Sequence, residues 1–365
     1  MGAPLRSEIL KPAGTGGFCP DPVRVMIVDD SLTVRTVFSR MIKQEHDMVI
    51  VGTANTAEAG LSDLPGAAPD VMMLDLEMPG MGGLEALPKI MEIAPKTKVL
   101  VISSLTADGA ESTVKALSLG AADTMLKPRP GGFDDDYKAG LLGKIRALKG
   151  LPPEETEQAA PSSANAPQVG KPPQAIAIGA STGGIHALNL FLRQVPKNFD
   201  LPILVTQHLP ASFIPVFAQQ MEMAGNRPAV LADEGTVIER GKIYIAPGHG
   251  HMVVRKAGGR RVIGLAYHPV KSGCMPSVDP MFETLAEAYD GHVSGVLLSG
   301  MGRDGTDGAQ ALLSAGGTMF AQNAETCAVW GMPRAISEMG LAAAVLPPAE
   351  LADALLDSVG ADAWR

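Results

Sequence analysis

The chain has 365 residues, a length that at roughly 100 to 200 residues per domain points to two domains rather than one. Hydrophobic residues make up 46%, enough for two buried cores, which excludes wholesale disorder. A net charge of −9 offers no general attraction to phosphate backbones or anionic lipid, so neither nucleic-acid binding nor direct membrane insertion is expected.

The three cysteines, Cys19, Cys274 and Cys327, are odd in number and far apart, a pattern that fits neither a disulfide framework nor a zinc ligand set. The first 22 residues lack the apolar segment of a signal peptide, and no stretch of about 18 apolar residues follows. A cytoplasmic protein is expected.

From Val23 the pattern predicts strand 23–29, helix 32–45, strand 48–53, helix 56–64 and strand 70–75, then helix 83–94, strand 98–103, helix 108–119, strand 123–127 and helix 134–148. Five βα units with short connections imply a parallel, doubly wound sheet. Residues 151–173 contain six prolines and almost no apolar periodicity, which reads as a linker. A second α/β pattern starts at Ala175 with AIAIGAS, a helix from Gly183, the strand LPILVTQH and a helix near 213–223. KIYIAPG, HMVVRK and RVIGLAY look more antiparallel. Helix 280–289, strand HVSGVLLS, helix 305–315 and strand GTMFAQN complete it.

Functional groups of a parallel sheet collect at the carboxyl ends of its strands. In the first domain those ends carry Asp29 and Asp30, Asp75, Ser103 and Lys127. Three carboxylates together repel one another unless a hard cation intervenes, and such an oxygen set suits Mg²⁺. A surface-turn reading fits any one of these residues better than it fits five polar groups converging on one edge at once. With IVDDS, LDLEMPGMGG, VISS and LKP, residues 23–148 resemble the receiver domain of two-component response regulators, a flavodoxin-like (βα)5 fold. The resemblance implies Asp75 as phospho-acceptor, with Asp29, Asp30, Asp75 and the Glu77 carbonyl around Mg²⁺. It implies Ser103 as the switch hydroxyl and Lys127 as a phosphoryl partner. Thr124 stands where that family carries its switch aromatic.

In the second domain, Gly179-Ala-Ser181-Thr-Gly183 satisfies G-x-S-x-G, a serine raised on a tight turn between strand and helix. The helix N-terminus offers free N–H groups to an oxyanion. A dinucleotide-binding turn is the competing reading, but GASTGG lacks the G-x-G-x-x-G spacing and no acidic residue closes the next strand. A serine needs a base. His208 ends the strand after the nucleophile's helix and is the first choice, ahead of His249 and His251 in APGHGHM. His46, His268 and His292 sit at element edges, and His186 lies inside the helix. Asp304, after an apolar strand and a glycine turn, is placed to orient the histidine, with Asp307 as local rival. The Met301 N–H can approach a reacting carbonyl.

GASTGG, TQHLP and SGMGRDG together resemble the catalytic domain of chemotaxis response-regulator protein-glutamate methylesterases over about residues 175–357. The expected organisation is an N-terminal extension 1–22, receiver 23–148, Pro-rich linker 149–173, doubly wound α/β methylesterase domain 174–358 with a short antiparallel section, and tail 359–365. The resemblance implies Ser181 as nucleophile, His208 as base, Asp304 as orienting carboxylate, and oxyanion donation from Thr182 and Met301. It implies hydrolysis of glutamate γ-methyl esters, and deamidation of specific glutamines, on methyl-accepting chemoreceptors, without a metal cofactor for the hydrolysis. A sensor histidine kinase would donate the phosphoryl group, relieving occlusion of the esterase site. Met275 stands where the family often has a basic residue.

A binding-module output is the second reading. DNA binding is disfavoured, because residues 172–365 hold 13 basic against 17 acidic residues and their only basic cluster is Arg255, Lys256, Arg260 and Arg261 at a Gly-Gly turn.

Overall fold

The computed structural model describes residues 21–104, 106–128, 132–150, 170–360 and 363–364. Nearly all of the expected N-terminal extension with Cys19, and most of the expected linker, lie outside them.

The N-terminal unit runs β1 (Val23–Val28), α1 (Leu32–Lys43), β2 (Met48–Ala54), α2 (Ala57–Ala67), β3 (Val71–Asp75), α3 (Gly83–Ile93), β4 (Lys98–Ser103), α4 (Ala107–Ser118), β5 (Asp123–Leu126) and α5 (Asp135–Lys149). Its strands pair in parallel in the order β2-β1-β3-β4-β5. The β3 side chains are buried throughout, as a strand covered on both faces requires. Helix α1 starts where the Ser31 side chain accepts the Val34 N–H, and it buries Phe38, Met41 and Ile42 on one face. Helix α2 runs three residues past the expected end at 64, with Pro65 inside its last turn. It closes at Ala68, which adopts a left-handed φ of 39° and donates its N–H to the Leu64 carbonyl.

The C-terminal unit runs β6 (Ala175–Ala180), α6 (Gly184–Gln194), β7 (Ile203–Gln207), a 3-10 turn (Ala211–Phe213), α7 (Ile214–Gly225), β8 (Ala229–Leu231), β9 (Ile243–Ile245), β10 (His251–Ala257) and β11 (Arg260–Ala266). There follow α8 (Val278–Ala288), β12 (Val293–Leu297), α9 (Thr306–Ser314), β13 (Thr318–Gln322), α10 (Met332–Glu338), β14 (Ala344–Leu346) and α11 (Pro348–Asp357). Seven strands pair in parallel in the order β14-β13-β12-β6-β7-β9-β8. Among the described residues, β10 and β11 form the one antiparallel strand pair. KIYIAPG therefore departs from its expected antiparallel setting. Its residues Ile243–Ile245 lie between β7 and β8 in the parallel sheet, where all three are buried.

Strand β6 sits centrally, with β7 on one side and β12 on the other. The chain departs in opposite directions from this position, which opens a crevice at the carboxyl edge of a parallel sheet. The two units share one apolar cluster: Ala110, Val114 and Leu117 of α4 are buried with Phe213, Ile214 and Phe217.

At the turn into α3, a Cβ on Gly83 would stand 2.0 Å from the Asp75 carbonyl oxygen, closer than any real contact. Gly83→Ala is expected to destabilise the N-terminal unit by about 1–3 kcal/mol, as overpacking does, readable in calorimetric unfolding. Unchanged stability would mean that the approach of α3 to the end of β3 is not tight.

Candidate active site

At the edge of the N-terminal sheet, Asp29 and Asp75 are buried and Asp30 is exposed. One carboxylate oxygen from each lies within 4.8 Å of the others. Burial and the neighbouring Asp75 push Asp29 up to about 6, and burial raises Asp75 as well. Lys127 Nζ lies 2.5 Å from Asp75 Oδ2 and 3.8 Å from Asp29 Oδ2. Burial, the largest single effect, works against its ammonium, but the hydrogen bond to Asp75 and the negative charges of Asp75, Asp29 and Asp30 together outweigh it and hold Lys127 above its ordinary value. Asp29 Oδ2 is buried without a hydrogen-bond partner. An orphaned carboxylate oxygen beside two further carboxylates is what a hard, oxygen-seeking cation would satisfy.

Ser103 Oγ lies 3.4 Å from Thr124 Oγ1, so the residue at the family's aromatic position meets the expected switch hydroxyl with a hydroxyl of its own. The Glu77 N–H donates to Asp75 Oδ1, and the Glu77 carboxylate accepts from Ser104 Oγ.

In the C-terminal sheet, β6 ends one residue before Ser181, and Gly183 caps α6 with a φ of 77°. A side chain there would be strained and would meet Ala328 and Ser299. Ala180 pairs with Gln207, and the His208 N–H donates to the Ala180 carbonyl at 3.0 Å. Ser181 and His208 therefore leave neighbouring strand ends side by side. Among the described residues no hydrogen bond joins Ser181 Oγ to the imidazole, and bonds of this kind often tighten only with substrate present.

His208 Nε2 lies 2.9 Å from Asp304 Oδ2. Asp304 is buried and held down to about 2: burial works against the charge, but the His208 hydrogen bond and those from Ser277 and the Val278 N–H outweigh it. An ionised carboxylate only accepts, so Nε2 carries the proton and Nδ1 is the nitrogen left to act. Burial disfavours the imidazolium, yet Asp304 and the adjacent Cys274 lift His208 to about 9. Ser272 Oγ and Ser277 Oγ donate to Asp304 Oδ1 at 2.7 and 2.6 Å, and the Val278 N–H donates to Oδ2 at 2.7 Å.

The alternative residues are engaged otherwise. His251 is buried, accepting the Ser277 N–H on Nδ1 and donating Nε2–H to the His268 carbonyl. His249 is exposed, His186 faces the Ser118 carbonyl, and Asp307 pairs with Lys271 on the surface. Within the described residues, no hydrogen bond engages the Thr182 or Met301 N–H, and both residues adjoin the Ser181 crevice. A Cβ on Gly300 would lie 2.8 Å from Ser181 Cβ, which shows how closely the turn before Met301 passes the serine.

Three features escaped the sequence. Ser272, Ser277 and Cys274 surround the His208–Asp304 pair, and only Ser277, one residue before α8, carried a local signal, that of a helix cap. Asp123 of β5 reaches across from the N-terminal unit: its Oδ2 accepts from Thr182 Oγ1 at 2.7 Å and from Lys144 Nζ at 2.6 Å. At the same boundary Lys98 Nζ donates to the Cys327 carbonyl at 3.4 Å.

The family model for CheB methylesterase matches residues 176–355, and that for the response regulator receiver domain matches residues 25–132. The chain is 43% identical to protein-glutamate methylesterase/protein-glutamine glutaminase 2 of Caulobacter vibrioides, over 89% of this chain and 95% of that protein. It is 37% identical to the protein-glutamate methylesterase/protein-glutamine glutaminase of Azospirillum brasilense, over 93% and 94%. The crystal structure of the Thermotoga maritima CheB methylesterase catalytic domain superposes with a TM-score of 0.50 at 35% identity, covering 51% of this chain and 99% of that one. A receiver implies Mg²⁺ binding and a kinase phosphodonor in general terms. No helix among the described residues is long and apolar enough to cross a membrane. With its receiver preceding a catalytic α/β unit, the chain belongs to the protein-glutamate methylesterase/protein-glutamine glutaminase family.

Proposed function

We propose that the protein hydrolyses γ-methyl esters of receptor glutamates, and deamidates receptor glutamines, with Ser181 as nucleophile. The observation that carries this reading is the His208–Asp304 pair at the strand end adjoining Ser181. Ser181 Oγ attacks the γ-carbonyl carbon while its proton passes to His208 Nδ1. Negative charge on the former carbonyl oxygen faces the Thr182 and Met301 N–H groups. The intermediate collapses, the C–O bond to the methoxy group breaks, and His208 returns the proton so that methanol leaves. Water then attacks the acyl-enzyme, giving its proton to His208, and glutamate departs as Ser181 recovers its hydrogen. On a glutamine side chain the same steps release ammonia. Each proton transfer in this scheme uses a side chain of this protein, and the scheme calls on no metal.

Asp75 accepts a phosphoryl group from a sensor histidine kinase, and Asp29, Asp30, Asp75 and the Glu77 carbonyl would hold Mg²⁺. When bound, that ion neutralises charge on the phosphoryl oxygens. Lys127 and Ser103 take the remaining phosphoryl oxygens. The contacts between the units support regulation by docking, because Asp123 of the receiver grips Thr182, the residue after the nucleophile. New charge at Asp75 biases the receiver toward release of that grip.

Ser181→Ala should abolish release of methanol from methyl-labelled receptors, and a retained wild-type rate would reject the nucleophile. His208 must be neutral to act as base, and its pKa lies above the ordinary imidazole range, so kcat/KM should climb with pH through the alkaline side. Asp304→Asn removes the main lift on His208. Its rising limb should move to lower pH, with a loss on the order of 10³–10⁴-fold in kcat. A limb that stays in place would disconnect Asp304 from the base. Asp123→Ala should raise the unphosphorylated esterase rate several-fold and shrink the further stimulation by beryllofluoride, whereas an unaltered basal rate would argue against restraint through Thr182.

A further inference from the structure

Cys274 has no place in the hydrolysis, yet its Sγ, a His208 ring nitrogen and an Asp304 carboxylate oxygen all lie within 4.8 Å of one another. The thiol sits on the loop before α8, half-buried, with its Sγ 3.8 Å from the Ser272 carbonyl. His208 and Asp304 come from the ends of other elements, so three parts of the chain converge.

We propose that His208, Cys274 and Asp304 form a binding site for a thiophilic divalent cation of the Zn²⁺ class that switches the esterase off. The inhibitory half of this proposal rests on His208 as the catalytic base. Sulfur, imidazole nitrogen and carboxylate oxygen together select Zn²⁺ over Mg²⁺ or Ca²⁺, which prefer oxygen alone. Bonds of about 2.0–2.3 Å in a tetrahedron separate ligand atoms by roughly 3.5 Å, so small rotations of Cys274 and His208 close the set. Three protein ligands leave a fourth position for water, on the side where Cys274 meets solvent.

Asp304 is already oriented for the task. Ser272, Ser277 and the Val278 N–H hold its two oxygens in place, and metal coordination exchanges the His208 contact without uncovering a bare charge. Binding displaces the thiol proton and one proton of the imidazolium to solvent, and the neutral ring gives one nitrogen's lone pair to the metal while its other nitrogen stays protonated. Ser181 then has no group to take its proton, and the ester is not attacked.

The test uses the full-length chain with Cys19 replaced by Ser in every arm, stripped with chelator and titrated with Co²⁺ or Zn²⁺. A thiolate-to-Co²⁺ charge-transfer band that Zn²⁺ displaces is expected, together with Zn²⁺ inhibition of ester hydrolysis that chelator reverses. Cys274→Ser, and independently Cys274→Ala, should abolish the band and weaken inhibition, relative to each variant's own rate, by at least roughly tenfold. Cys327→Ser should retain both. A missing band in the parent chain, or a band and inhibition unchanged in both Cys274 variants, would overturn the site. A band in an active esterase that Zn²⁺ does not inhibit would overturn its regulatory role. A Cys274-dependent band in a chain lacking esterase activity would instead sink the catalytic reading and leave the metal site standing.

Discussion

The buried carboxylate of Asp304 is the constraint around which the C-terminal crevice is organised. Removed from water, an ionised carboxylate costs several kcal/mol unless its lone pairs are filled. Here four donors fill them: His208 from the end of β7, Ser272 from a loop, and Ser277 with Val278 at the start of α8. Hydrogen bonds to a charged group contribute about 1.5–3 kcal/mol each, so the carboxylate ties separate segments together while it holds one histidine tautomer. The α8 N-terminus adds a favourable dipole to the same charge.

A different solution to the same problem operates in the receiver. Asp29 and Asp75 are buried close together, but here, among the described residues, Lys127 is the one cation paired with both, and one oxygen of Asp29 is left without a hydrogen bond. The two clusters thus differ in what they leave undone. Asp304 is saturated by protein donors and stays firmly ionised, whereas Asp29 is pushed up toward neutrality by burial and by its neighbour. An incomplete cluster is suited to accept a cation and a phosphoryl group, and a complete one is suited to steady a proton transfer.

The boundary between the units joins these two centres by short steps. Ser103 meets Thr124, the Thr124 N–H donates to Asp123 Oδ1, and Asp123 Oδ2 accepts from Thr182 beside Ser181. Apolar contact of α4 with Phe213 and Phe217 supplies non-directional adhesion, while the Asp123–Thr182 bond supplies the register. The Thr124 hydroxyl makes the step to Ser103 inside the receiver, while the bond across the boundary belongs to Asp123 and Thr182.

Hydrophobic periodicity made the alternation of strands and helices legible, because a doubly wound sheet repeats one local pattern, and Ser181, His208 and Asp304 were legible as groups following apolar strands. The parallel setting of Ile243–Ile245 was not, since a three-residue strand carries no directional signal and its partners are β7 and β8 rather than the β10 and β11 segments that follow it. Nor were the placement of Cys274 beside His208, the donors that fill Asp304, or the reach of Asp123 to Thr182. Sequence by itself determined which residues stand at strand ends, because that depends on contacts within a few residues. Tertiary structure alone decided which of those ends face one another, because that depends on strand order and on the docking of two units 59 residues apart at the Asp123–Thr182 contact.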